Sequence, residues 1–166
     1  LIWRWNYNDK KQTNEKQLFM VRRSKNKKLN PGIWQAAPSG HLLPGETYPE
    51  GARRELREEI GSEFARQVKA VQPVMAVRAY AGESKNSSAQ KENCYFFLAN
   101  VDKEASKLIN TNYEADGAAW MDIGTIRQMM LEDPSQFRDA FRLAFEAIDW
   151  DKVTEADQKS VILRKS

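Results

Sequence analysis

Residues 47–61 carry an almost complete specification for one short helix, and that segment constrains the chain more than any other. Thr47 and Glu50 stand in the T-x-x-E relation of a capping box, Pro49 falls in the first turn where a missing N–H is tolerated, and Gly61 supplies a stop. Between them Ala52, Leu56 and Ile60 recur every four residues and give the helix one apolar stripe to bury. At about 100° per residue, Glu55, Glu58 and Glu59 fall together on the flank of that stripe, while Arg53 and Arg57 point elsewhere. On charge alone, a solvated face balanced by neighbouring arginines is the plainer account, since like charges at these spacings cost only about a few tenths of a kcal/mol. The setting favours another. A carboxylate cluster beside a buried stripe, preceded by a glycine-containing turn that can bring backbone carbonyls close, suits a hard divalent cation with oxygen ligands.

The segments around this helix read mostly as strands. "LIWRW" and "QLFMVRR" flank the polar run "NYNDKKQTNEK", which predicts an antiparallel hairpin with a long loop. "SKNKKLNPG" follows as a basic turn-rich loop, whose Lys25, Lys27 and Lys28 are expected to be solvated rather than to meet phosphates. "PVMAVRAYA" and "NCYFFLANV" predict two more strands around the polar run "GESKNSSAQKE", and "GAAWMDI" a last short one. Asp133-Pro134 opens a closing helix in which Phe137, Ala140, Phe141, Ala144, Phe145 and Ile148 make a core-facing stripe. Strands before, between and after two main helices, without regular βαβ alternation, point to an α+β fold with a mixed central sheet and helices on its faces.

Composition bounds what such a chain can do. At 166 residues and 41% hydrophobic content, residues 1–166 are expected to form a single domain with a sizeable core, and no internal repeat is visible. A formal charge of +3 is too mild to imply a nucleic-acid or membrane partner by itself, so no nucleic acid is indicated, and no apolar run reaches membrane-spanning length. The lone cysteine, Cys94, leaves no internal disulfide; it fits a reducing, cytoplasmic compartment and is expected to be a buried structural thiol. The chain opens strand-like on Leu1 without an initiating Met, so residues are expected to precede it.

Gly40, five residues, Glu46, seven residues, and then Arg54-Glu55-Leu56-Arg57-Glu58-Glu59-Ile60-Gly61 resemble the Nudix box, G-x5-E-x7-R-E-U-x-E-E-x-G-U. The one departure is Ser62 in place of an aliphatic residue, at a packing position. The box covers 23 of the 166 residues, and the predicted strands and closing helix follow in the family's order. The resemblance implies an α/β/α sandwich and a metal-dependent pyrophosphohydrolase, in which water attacks phosphorus in a nucleoside diphosphate linked to another moiety. It assigns Glu55, Glu58, Glu59 and the Gly40 carbonyl to Mg²⁺, with Mn²⁺ as an alternative, and makes Arg54 and Glu46 a structural ion pair. Glu58 or Glu59 would also activate water, although in this family the base often lies outside the box; Glu114 and Glu92 are the acids available there. Arg23 resembles a position near substrate phosphates. Trp34, before the box, either stacks on a base or packs in the core, and Tyr80 resembles the tyrosine that follows the box in diadenosine polyphosphate hydrolases. Specificity is expected from residues 24–34 and 82–92, and Pro73 lies too near the box to match the proline of ADP-ribose hydrolases. Two-fold dimers are common in the family.

Two rivals share the fold. "SGHLLPGE" looks like the C-G-H-P stretch of isopentenyl-diphosphate isomerase, but Ser39 stands where that enzyme's nucleophilic cysteine would, so isomerisation is not expected. His41, the only histidine, sits at a variable box position and is expected at the surface. A Nudix-fold module that binds a nucleotide or protein without turnover would be expected to lose box glutamates, and this chain keeps them all.

Overall fold

The computed structural model describes residues 1–28, 30–68, 71–80, 91–109 and 115–154. Five strands run in the order β3 (Trp34–Ala36), β2 (Thr13–Arg23), β1 (Ile2–Asn8), β5 (Lys91–Asn100) and β4 (Gln72–Tyr80), and β6 (Ala115–Asp122) also pairs with β2. Leu18 pairs with both Trp3 and Met121, and Met20 with both Ala36 and Ala119. One edge of β2 is therefore shared end to end by β1 and β3, and the other is covered by β6. Every strand pair is antiparallel except β1 with β5, where Ile2 lies opposite Ala99 and Trp3 opposite Asn100. The sheet is thus mixed.

Buried on both faces, β2 reads as the continuous run Gln17–Val21 rather than an alternating one. The period of two still operates. Leu18 and Met20 enter one core with Trp3, Phe137, Phe141, Phe145 and Trp150, whereas Phe19 and Val21 enter another with Ile2, Leu56, Ile60 and Phe64. The first core is roofed by α3 (Ile123–Glu132) and α4 (Asp139–Ala147); the second lies under α1 (Tyr48–Glu55), a π-helical turn (Leu56–Ile60), α2 (Ser62–Gln67) and a 3₁₀ turn (Ala105–Leu108). Two helical layers around one sheet make the α/β/α sandwich. Among the described residues no helix is long and apolar enough to cross a membrane.

Four local expectations are corrected. The β1–β2 hairpin is tighter than its polar sequence implies: Asn6 pairs with Glu15 and Asn8 with Thr13, and Asn8 Oδ1 accepts from the Lys10 and Lys11 amides across the turn. Ile123–Glu132, passed over in the sequence, form α3, which buries Ile123 and Ile126. The closing helix starts later than Asp133, because Asp133 caps only a 3₁₀ turn (Pro134–Gln136) and Phe137 and Arg138 are pulled into extended backbone beside β3. The Arg138 N–H donates to the Trp34 carbonyl at 3.0 Å. Finally, Gly61 (φ 116°) breaks the helix but does not end the helical layer, since α2 begins at Ser62 with Phe64 fully buried.

Candidate active site

The site grows out of one guanidinium. Arg54 Nε and Nη2 donate to the two oxygens of Glu46 at 2.9 and 3.0 Å, and Nη2 also donates to the His41 carbonyl at 2.9 Å. The Leu43 N–H donates to Glu46 as well, so the loop before α1 is tied down by a two-pronged charged fork rather than by packing. Arg54 first, and the Leu43 amide second, hold the Glu46 carboxyl below the usual carboxylate range. Gly51 lets this loop approach, because a Cβ there would lie 2.6 Å from Leu42 Cδ2. The helix start is held by Glu50, which accepts from the Thr47 N–H and hydroxyl at 2.9 and 2.6 Å.

Nη1 of the same arginine faces the carboxylate cluster, donating to Glu55 at 2.6 Å and to Glu58 at 3.0 Å. Glu55 is mostly covered, Glu58 projects with 59% of its side chain exposed, and Glu59 accepts from the Ser39 N–H at 2.9 Å. Glu55 and Glu59 thus border Gly40 and Ser39, while Glu58 joins them through Arg54 and reaches further into solvent than the helical projection implies. The wide π-helical turn over Leu56–Ile60 carries Glu58 and Glu59, a feature often found at functional sites. A Cβ on Gly40 would fall 1.9 Å from Glu55 Oε1, so any side chain here would have to displace the Glu55 carboxylate.

All-oxygen donors beside such a cradle fit a hard divalent cation. Among the described residues no three acidic, imidazole or thiol side chains already stand as a ligand set. Arg54 holds two of the three glutamates, and fitting a cation requires Glu55 and Glu58 to exchange it for the ion while Glu46 keeps it.

Beside the cluster opens a cleft of about 640 Å³, walled by the box helix, β5 and the start of α4. Arg23 reaches it from the end of β2, and Glu92 and Cys94 from β5. Glu92 accepts from Arg138 Nη2 at 3.0 Å, and its other oxygen lies 3.6 Å from Nε2 of the largely exposed His41. Cys94 is not the buried structural thiol expected: it is partly exposed on the cleft wall, and burial, partly offset by Arg138, pushes its thiol up. Trp34 is not brought to this cleft; its ring packs against the core that contains Phe137, with the Arg22 guanidinium 6.0 Å away. Tyr80 ends β4 opposite Lys91, and its side chain, like Glu114, lies outside the described residues. Tyr48, Tyr95 and Arg138 also line the cleft, unforeseen from the sequence. For Tyr48 a signal existed, since it precedes Glu55 by seven residues and so shares its helix face.

The family model described as NUDIX domain matches residues 8–141. Among curated relatives, an isopentenyl-diphosphate Delta-isomerase of Klebsiella pneumoniae is 31% identical over 121 residues, 73% of this chain and 62% of the relative. One from Corynebacterium diphtheriae is 30% identical over 109 residues, 66% of this chain and 58% of the relative. The chain therefore spans about 60% of the length of the curated relatives it matches. Among solved structures, a Nudix hydrolase from Alicyclobacillus acidocaldarius superposes with a TM-score of 0.62 over 99% of this chain and 96% of that one, at 13% identity. The MutT protein from Methanosarcina mazei superposes with a TM-score of 0.52 over 87% and 88%, at 20% identity. These likenesses show a shared fold.

Proposed function

This chain belongs to the Nudix family, and from that membership together with the site just described we propose that it is a Mg²⁺-dependent pyrophosphohydrolase acting on a nucleoside diphosphate linked to another moiety. The observation that carries the reading is the approach of Glu55 to the Gly40 backbone and of Glu59 to the Ser39 amide, with Glu58 joined to Glu55 through Arg54, beside a cleft large enough for a small molecule. In this reading Glu55, Glu58, Glu59 and the Gly40 carbonyl hold the cation. When bound, the ion supplies charge neutralisation for pyrophosphate oxygens and a more acidic water.

The chain's own residues do the rest. Arg54, gripped by Glu46, fixes the loop that presents Gly40 and so sets the geometry of the donors. Glu58 or Glu59 takes the proton of the attacking water, with Glu92 and Glu114 as the acids outside the helix that are the alternatives. Arg23, on the cleft, would draw phosphate oxygens and orient the phosphorus for attack. The test is turnover of nucleoside triphosphates, nucleotide sugars, ADP-ribose and dinucleoside polyphosphates with Mg²⁺, for wild type beside Glu58→Gln and Glu59→Gln. A loss of about a hundredfold or more, some 2.7 kcal/mol of transition-state stabilisation, is expected in the variants. Variants equal to wild type would sink the reading, and a protein that binds nucleotides without turnover is then the better account.

One observation favours a second reading, because the curated relatives at about 30% identity are named isopentenyl-diphosphate isomerases. Against it, the position that resembles the isomerase's cysteine is Ser39. Conversion of isopentenyl diphosphate to its isomer, and its loss in Cys94→Ser, would bring that reading forward.

A further inference from the structure

Six large hydrophobic side chains are exposed among the described residues, and four of them, Leu42, Leu43, Tyr48 and Tyr95, come from the box loop, the first turn of α1 and β5. Three of the four line the cleft. Tyr48 and Tyr95 are stacked on one another, with ring centroids 3.6 Å apart and planes at 29°, while 37% and 47% of each residue stays exposed. Rings stacked only to fill a core would be covered. These meet at the rim of a cleft, joining the helix that carries the glutamates to the strand that carries Glu92.

The position along the helix adds a length scale. Tyr48 and Glu55 are seven residues apart, two turns on the same face, which places them about 10 Å apart along the axis. A sugar and its first phosphates can bridge a gap of that order. The capping box anchors Tyr48 at the first helical position, and Tyr95 is held opposite Ala76 in the β4–β5 ladder, so the aromatic surface is set by rigid elements rather than by a loop. We infer that Tyr48 and Tyr95 form the specificity platform of this cleft, on whose outer face the substrate lays a planar aromatic ring, a nucleobase. This rests on the hydrolase reading for the reaction, but not for binding. A flat pre-stacked surface favours a third ring, whereas an alkyl chain gains as much from any apolar wall.

The test measures binding without metal as well as turnover. Adenosine and uridine 5′-monophosphates, together with isopentenyl diphosphate and inorganic pyrophosphate, which have no ring, are titrated calorimetrically into wild type, Tyr95→Ala, Tyr48→Ala and Tyr95→Phe, each checked for folding by thermal melting. Removing either ring is expected to weaken nucleotide binding about tenfold, and Tyr95→Phe to restore it, with pyrophosphate unaffected. In turnover, KM for a nucleoside diphosphate derivative rises by the same factor with kcat within about twofold. Unchanged nucleotide affinity in the folded alanine variants overturns the inference, as does an equal loss for pyrophosphate, or tight isopentenyl diphosphate binding without nucleotide binding. Tyrosine-dependent binding without hydrolysis of any nucleotide would instead sink the hydrolase reading and leave the platform standing.

Discussion

The two faces of the sheet bury their side chains differently. Under α3 and α4 the core is aromatic, with Phe137, Phe141, Phe145 and Trp150 in successive ring contacts, and the Trp150 indole N–H is satisfied by the Phe145 carbonyl. Under the box helix it is built mainly from aliphatics around Phe64, and its rim carries the Arg54 fork and three glutamates. Both faces gain stability from area removed from water. The box-helix face also holds its loop by charged hydrogen bonds, and so leaves polar groups at the edge of a cleft. The contrast separates what makes the molecule fold from what would make it act, and each side can be tested without the other.

The largest effect is expected on the aromatic face. Phe145→Ala should cost about 3–5 kcal/mol in chemical denaturation, because the ring is 3% exposed and packs between Phe141 and Trp150. Activity per folded molecule should fall far less, and an equal fall would mean that the two faces are not separable. Gly40→Ala reverses the pattern. The added methyl must displace the Glu55 carboxylate, so the Mg²⁺ concentration needed for half-maximal activity should rise about tenfold or more, about 1.4 kcal/mol, with melting shifted by only a few degrees. An unchanged Mg²⁺ requirement would remove Glu55 from the proposed donor set. Thr47→Ala takes away one partner of the capping interaction and should lower stability by about 1 kcal/mol, as read by denaturant titration.

The smallest effect is a dependence on acid. Glu46 is held below the usual carboxylate range by Arg54, so the unfolded chain binds more protons at this position than the folded one as pH falls. Its contribution is present at neutral pH and is lost from about pH 5 downward, through the depressed value. Glu46→Gln should therefore melt lower than wild type at pH 7, with the difference shrinking toward pH 3. A constant difference across that range would assign the glutamate a steric role instead.

The parts of this fold that were readable carry their cause locally. Thr47, Glu50 and Gly61 mark helix limits by backbone chemistry that needs no partner, and the box glutamates announce themselves by spacing. Where a distant segment decides, the sequence was silent. Phe137 belongs to a helical apolar pattern, yet β3 captures its backbone. Ile123, Ile126 and Met130 carry a helical period, but it overlaps the stronger strand signal of "GAAWMDI". Cys94, Arg138 and Tyr95 reach the cleft only because β5 pairs with β4 and β1 and the start of α4 docks on β3; no spacing in the chain encodes that meeting. Tyr48 shows the intermediate case, a residue whose helix face was legible while its aromatic partner was not.

β2, with both faces and both edges occupied, has a consequence for how such a chain can change over generations. Deleting one residue between Leu18 and Val21 would exchange the side chains sent to the two cores, and would shift the partners of β1, β3 and β6 together. Length variation should therefore be purged from this strand while it accumulates in the turn at Asp9–Gln12, where the same deletion alters only exposed residues and the turn's own hydrogen bonds to Asn8.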